Sequence, residues 1–291
     1  MDPALSHRPV PSRALRHGDH ALLLYSSSEE RTDAVVPFVA EGLRRNDRVL
    51  CVGDGIATPS YERLGSLSRD ALRSGQLIVE NSAHTYMRGG HFSGSRMKAH
   101  YRAAARLAQA EGFGGLRIAA EMSWAAHAQA QPLLPLVEYE ATLDQALHGE
   151  SVTVLCEYDT RLFDTAALKA LEQAHAIGAR PDPLFASHRL RIERAYSPNG
   201  LALTGELDIA ARGALHAALS NVIAPGIDRP VVDLRALSYI DAGSLGALVA
   251  ASERSARGIE VVVNARIARL LRALRTTLPP SLEIREAGDV L

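Results

Sequence analysis

Between residues 21 and 157, short apolar runs alternate with stretches long enough for a helix, and this rhythm constrains the fold more than any other feature of the chain. Strands are expected at 21–25, 48–52, 76–79, 115–120 and 151–157, with helices at 29–45, 68–74, 95–111 and 133–147 between them. Gly75 follows the second of these helices, where a left-handed residue would end it. Strands separated by crossovers of this length pair in parallel, because an antiparallel neighbour needs only a tight turn. The first part of the chain is therefore read as an α/β domain.

Punctuation sets its limits. Residues 1–16, with Pro3, Pro9 and Pro11, carry no hydrophobic period and read as a disordered tail. The run around Pro181 and Pro183 cannot continue a helix, so a linker is placed at 179–189, with the first domain at 17–178 and a second at 190–291. The second domain reads as a hairpin (190–195 and 200–204), strands at 230–234 and 259–264, and helices at 210–223, 242–257 and 265–277. That pattern suffices for a small mixed sheet with helices on one face. A chain of 291 residues also favours two cores over one.

Composition narrows the function classes. A formal net charge of -1 supplies no general pull toward nucleic acid, so no direct nucleic-acid partner is expected. No apolar run approaches the roughly 20 residues of a membrane helix, so neither a membrane partner nor a secretory signal is expected, and the localisation is read as cytoplasmic. Cys51 and Cys156 each lie inside an apolar run and read as buried strand residues, which fits a reducing compartment.

The chemistry-bearing motifs are sparse. The turn after the first strand reads Tyr25-Ser-Ser-Ser-Glu-Glu-Arg-Thr32, with neither the glycines nor the lysine of a phosphate-binding loop, and Glu29 and Glu30 would repel phosphate. The 11 histidines show no metal-ligand spacing, and no nucleophile elbow is present, so no metal, cofactor or catalytic residue is assigned. Ligands of open α/β sheets settle beyond the C-terminal ends of the strands. The residues expected there are Tyr25, Gly53, Asp54, Asn81, His84, Tyr86, Glu121–Trp124, Tyr158 and Asp159. In the second domain, Asp241 stands directly before an apolar helix, the place of an N-cap, where free backbone N–H groups and a positive dipole end face a docking partner.

Two families are resembled on particular residues. Leu203-Thr-Gly-Glu-Leu-Asp208, Val232-Asp-Leu-Arg235, Tyr239-Ile-Asp-Ala-Gly-Ser-Leu-Gly246 and Ala265-Arg-Ile-Ala-Arg-Leu-Leu271 are similar, in order and spacing, to the STAS family of anti-sigma-factor antagonists. That resemblance implies a binding module, not an enzyme, whose partner is an anti-sigma factor or related switch kinase. It implies contact through Asp208, Asp241, Ala242, Gly243, Ser244, Leu245 and Gly246. In that family the residue after the aspartate is the phosphorylated serine or threonine. Here it is Ala242, which leaves Ser244 as the alternative acceptor.

His20-Ala-Leu-Leu-Leu-Tyr25, Val36-Pro-Phe-Val-Ala-Glu-Gly-Leu-Arg-Arg45, Ser74-Gly-Gln-Leu-Ile78, Thr85-Tyr86, Gly115-Leu-Arg-Ile-Ala-Ala-Glu-Met-Ser-Trp124 and Tyr139-Glu140 resemble the MEDS sensory family. That family includes the input domain of a dichloromethane-responsive regulator and is similar in organisation to RecA-like ATPases. The resemblance implies a RecA-like parallel-sheet sensor domain lacking a P-loop, with a small-molecule ligand held by His20, Tyr25, Tyr86, Glu121, Trp124 and Tyr158. Together the two imply a partner-switching regulator of transcription in which ligand binding, transmitted through the short proline-bearing linker, controls the output domain. Self-association into a homo-oligomer is left open. The competing reading is a degenerate RecA-like nucleotide hydrolase that depends on Glu121.

Overall fold

The computed structural model describes residues 9–53, 63–127, 133–223, 229–273 and 278–287. Asp54, expected at the ligand rim, lies outside them. The chain divides into two compact units, Met1–Asp182 and Pro183–Leu291.

In the first unit, strands β1 (Val10–Pro11), β2 (His20–Tyr25), β3 (Arg48–Val52), β4 (Leu77–Glu80), β5 (Leu116–Glu121), β6 (Val152–Asp159) and β7 (Ile177–Arg180) form one sheet. Its order is β1-β7-β2-β6-β5-β3-β4, and every pairing is parallel. Helices α1 (Ser28–Arg44), α2 (Ser66–Ser74), α3 (Ser82–Thr85), α4 (Gly94–Ala110), α5 (Trp124–His127), α6 (Leu133–Leu147) and α7 (Thr165–Ala174) connect the strands. Parallel strands covered on both faces are largely apolar, and β3 and β6 are buried along their whole length, with Arg48 and Glu157 buried among their apolar residues.

The period-two alternation of each strand feeds two cores. Leu22, Ile118, Val154 and Cys156 pack with Met97, Leu136, Leu143 and Leu171 of α4, α6 and α7. Ala21, Leu23, Ala119 and Leu155 pack on the other side with Val35, Phe38 and Val39 of α1. The helix ends follow local chemistry. Ser27 caps α1 by accepting from the Glu30 N–H at 3.1 Å, and Gly75 ends α2 at φ 74°.

Two expected boundaries are corrected. Val10 and Pro11, read as part of a loose tail, pair with Ala179 and Arg180. Behind them Ser12 donates to the Ala34 carbonyl at 2.5 Å, and Leu15 is 1% exposed in the α1 core. The anchor is Arg117, wholly buried, which donates to the carbonyls of Leu15 at 2.7 Å and Phe38 at 3.1 Å. No hydrophobic period marked this segment because its hold is a strand of two residues and a buried arginine. The second correction concerns the linker: Ile177–Arg180 is a strand of the first sheet and Phe185–Ala186 a strand of the second. Gly178 and Pro181 disguised the first of these as a break.

The second unit carries β8 (Phe185–Ala186), β9 (Leu190–Tyr196), β10 (Asn199–Leu207), α8 (Arg212–Val222), β11 (Val231–Ile240), α9 (Ala242–Arg254), β12 (Ile259–Val263), α10 (Ala265–Ala273) and β13 (Leu282–Glu286). The sheet is mixed, in the order β13-β12-β11-β10-β9-β8. Its β8–β9 and β9–β10 pairs are antiparallel and the rest parallel. One hydrophobic cluster joins Leu201, Leu203, Val232, Val261 and Val263 to residues of all three helices, so the helices share a face, as expected. β11 runs on to Ile240 where a loop was expected after Leu234. Its second half has exposed Arg235, Ala236, Ser238 and Tyr239, so it lacks the apolar signature of a buried strand. The β10–β11 register shifts at Gly205, whose φ of 110° and close approach to the Arg189 carbonyl exclude a side chain.

Replacing Leu15 by alanine tests the corrected N-terminal boundary. A side chain this buried is expected to cost about 2–4 kcal/mol in urea unfolding, whereas a loss under about 0.5 kcal/mol, typical of an exposed site, would restore the loose-tail reading.

Candidate functional site

The residues expected at one rim of the first sheet are divided by the sheet itself. Tyr25 and Glu121 share strand parity with Leu23 and Ala119, so they turn toward α1, where the Tyr25 hydroxyl donates to Glu121 Oε1 at 3.2 Å. Ser123 also donates to that carboxylate through its N–H at 2.9 Å. Nearby, Arg31 of α1 donates to Glu157 at 2.6 Å. Burial raises the pKa of both Tyr25 and Glu157, Arg31 acting against it in each case.

On the opposite face, Tyr86 stacks on Trp124 with ring centroids 5.0 Å apart, and Phe92 tilts against the indole at 5.1 Å. The Tyr86 and Tyr101 hydroxyls are hydrogen-bonded at 2.8 Å. Phe92, Trp124, Leu133, Leu136, Leu162 and Phe163 line a cavity of about 200 Å³. The Trp124 indole N–H is buried and makes no hydrogen bond among the described residues. Asn81 and His84 instead line a wider depression of about 770 Å³ with Arg88, Arg96 and His100. Of the expected convergence, Tyr25 and Glu121 do meet, whereas Trp124 lies apart from them on the other face, which corrects that part of the reading.

His20 and Tyr158 form a third group, on the α6 side of the sheet. Glu140 of α6, fully buried, receives the Tyr158 hydroxyl on Oε1 at 2.5 Å and lies with Oε2 3.0 Å from His20 Nε2. His175, just past α7, donates from Nδ1 to the Leu171 carbonyl at 2.7 Å and holds Nε2 3.5 Å from Glu140 Oε2. Cys156 Sγ is 3.4 Å from His20 Nε2 and 3.5 Å from Glu140 Oε2. Asp144, one turn beyond Glu140 on the same helix face, stands 3.2 Å from His20 Nδ1.

Burial alone would lower the His20 pKa, but hydrogen bonds and attraction from Asp144 and Glu140 push it up to about 9. Burial likewise opposes ionisation of Glu140, yet His175 and His20 hold it well below the usual carboxylate range. The Cys156 thiol is pushed up by burial and by Glu140. His20, Glu140, Cys156 and His175 place four donor atoms within 4.8 Å of one another. No metal-ligand spacing marks these residues in the sequence, yet the fold gathers them. Glu140, Asp144, Cys156 and His175 were missed because positions 20, 140, 156 and 175 have no local spacing. The one available signal was strand parity, which puts Cys156 and Tyr158 on a common face.

In the second unit, β10 and β11 end side by side, with Leu207 paired to Ile240, so Asp208 and Asp241 emerge at one edge. Asp208 caps the short 3₁₀ turn Ile209–Ala211 by accepting from the Ala210 N–H at 3.0 Å. Asp241 caps α9, accepting from the Ser244 N–H at 2.6 Å, with Arg212 3.4 Å away. Around them lie Ile209, 72% exposed, and Tyr239, 46% exposed, with Ala242 and Gly246 also at the surface. Ser244 and Leu245 point into the core, at 0% and 5% exposure. Ser244 is therefore corrected as a phosphate acceptor, since no kinase reaches a hydroxyl without solvent exposure. Ser244→Asp is expected to cost at least about 2 kcal/mol in chemical unfolding, as a carboxylate forced into this core does. A variant as stable as the parent would show the side chain to be accessible.

The MEDS family model, described as the methanogen/methylotroph DcmR sensory domain, matches residues 19–176. The Mlab, STAS domain model matches residues 190–277. No curated protein matches the chain. Among solved structures, the flagellar accessory protein FlaH from Methanocaldococcus jannaschii is similar at 10% identity and a TM-score of 0.38, over 61% of this chain and 77% of that one. A KaiC-like protein from Pyrococcus horikoshii OT3 is similar at 11% identity and a TM-score of 0.41, over 67% of this chain and 98% of that one. With more than half its length matched by the first model, the chain belongs to the MEDS family, the DcmR-type sensory domains, and carries a STAS domain behind its sensory domain.

Proposed function

We propose that this chain is a non-enzymatic, anti-sigma-factor-antagonist-like signalling regulator, in which a small molecule bound by the MEDS domain controls partner binding by the STAS domain. The observation that carries the reading is the edge where β10 and β11 end. Two large apolar side chains, Ile209 and Tyr239, stand exposed there beside two aspartates that are already engaged as caps. Exposed apolar groups rimmed by polar ones suit a protein partner. Ala242 stands at the family's phosphorylation position without a hydroxyl and Ser244 is buried. Control by ligand, acting through a preference for one state of the output domain, supplies the switch that phosphate supplies elsewhere. The partner is an anti-sigma factor or related switch kinase, and the setting is the cytoplasm.

The input side rests on the cavity at Trp124. About 200 Å³ is below the usual range for sites holding drug-sized ligands, which favours a small molecule over a nucleotide. Its aromatic lining suits an apolar body, and the free indole N–H suits one acceptor atom. The β2–α1 turn also argues against the nucleotide-hydrolase reading. The Glu30 carboxylate accepts from the Ser26 N–H at 2.7 Å and its hydroxyl at 2.8 Å, so negative charge already sits at the head of α1.

The test is capture of the anti-sigma partner by the full chain from its native cells, followed by affinity measurement with the purified partner. Ile209→Glu and Ala242→Glu are each expected to weaken binding at least about tenfold, as interface-centre changes do, while leaving the circular dichroism spectrum unaltered. Undiminished binding by both variants, or tight sequence-specific DNA binding by the purified chain, would contradict the reading.

A further inference from the structure

We propose that His20, Glu140, Cys156 and His175 form a four-coordinate site for one divalent cation of the zinc class. The site goes beyond the partner-binding reading and stands independently of it. Its four inward atoms are His20 Nε2, His175 Nε2, Cys156 Sγ and Glu140 Oε2, contributed by β2, the segment after α7, β6 and α6. Zinc bonds of about 2.0–2.1 Å to nitrogen or oxygen and about 2.3 Å to sulfur make tetrahedron edges of about 3.3–3.6 Å. Of the six separations, three at 3.4, 3.5 and 3.5 Å fall inside that range, His20 Nε2–Glu140 Oε2 at 3.0 Å lies just under it, and all four atoms stay within 4.8 Å of one another.

The surrounding groups already orient the ligands as metal sites require. A carbonyl only accepts, so the Leu171 carbonyl fixes the proton of His175 on Nδ1. With the ring protonated, Nε2 pairs with Glu140 Oε2 as an imidazolium; with the ring neutral, Nε2 turns a lone pair toward that oxygen, two acceptors facing each other in a buried space. In the neutral form a metal cation takes the place of that proton between them. Asp144 stands at ion-pair distance, 3.2 Å, behind His20 Nδ1, and the Tyr158 hydroxyl holds the other oxygen of Glu140.

Charge closes as well. Two neutral imidazoles, one thiolate and one carboxylate cancel a divalent cation, leaving a buried site with no net charge. The Cys156 thiol and any imidazolium proton leave to solvent on binding. A mixed nitrogen, sulfur and oxygen set favours zinc over magnesium or calcium, which take oxygen. With all four positions taken by protein, the site is of the closed kind that braces a fold.

The experiment titrates metal-free full chain with Zn²⁺ against a chromogenic chelator, and separately with Co²⁺ followed by absorption. One equivalent of Zn²⁺ is expected, with a rise in melting temperature that chelation reverses. Co²⁺ should give tetrahedral visible bands and a near-ultraviolet thiolate band. Cys156→Ser should abolish the thiolate band, and His175→Gln should weaken Zn²⁺ affinity at least tenfold, while Cys51→Ser changes neither. Circular dichroism identifies any variant that fails to fold, and the wild-type stoichiometry and Co²⁺ spectrum then decide. No binding by folded wild-type protein, binding without a thiolate band, or binding indifferent to Cys156→Ser and His175→Gln would overturn the proposal.

Discussion

Glu140 carries a negative charge with no exposure to solvent, and a charge in that position has to be answered by the protein around it. The answer comes from widely separated parts of the sequence. His20 opens the second strand, Tyr158 lies near the end of β6, and His175 follows the helix that leads into β7. Because β2 lies between β6 and β7 in the sheet, the same carboxylate that orders α6 also fixes the neighbourhood of the first and last elements of the MEDS domain. Sheet parity then does the sorting. Cys156 and Tyr158 face Glu140, while Glu157 faces Arg31 on the other side. A register slip of one residue in β6 would exchange the two sets, placing Glu157 beside Glu140 and stranding the thiol against α1.

The STAS domain shows a different economy, in which two aspartates serve the backbone first. Asp208 and Asp241 each spend a carboxylate oxygen on an N–H at the start of a helical turn. What remains for a partner is the apolar surface they frame and their outward charge. Ala242 and Gly246 keep that surface low, and Ile209 and Tyr239 give it relief. Residue 242 has no hydroxyl and that of Ser244 is buried, so neither position offers an accessible acceptor for phosphate, and the proposed control by ligand rests on that.

Much of the fold was legible in the sequence because its strands are short and continuous in apolar residues. The strand at Arg48–Val52 and the helix at Leu133–Leu147 match the expected limits, and most others shift by a residue or two, β10 running three residues further and α9 ending three earlier than expected. The elements that escaped lack that signal. β1 is two residues long and contains a proline, β7 is interrupted by Gly178, and the outer half of β11 is largely exposed. β13 at the sheet edge has only Leu282 and Ile284 as apolar residues. The candidate sites were less legible still. Asp241 was identifiable as a cap because capping is local. The Glu140 cluster was not, since its members meet only through the sheet order. Residues grouped by their place after strand ends fell into four separate places, because the side of the sheet on which each lies matters as much as its height.

In the proposed function the STAS domain answers to ligand and not to phosphate. The most direct test is calorimetric titration of the full chain with its purified partner kinase, with and without magnesium and ATP, followed by intact-mass spectrometry. The account expects the same affinity in both conditions and an unmodified STAS domain. Release of the partner on adding ATP, accompanied by stoichiometric phosphate on that domain, would contradict it.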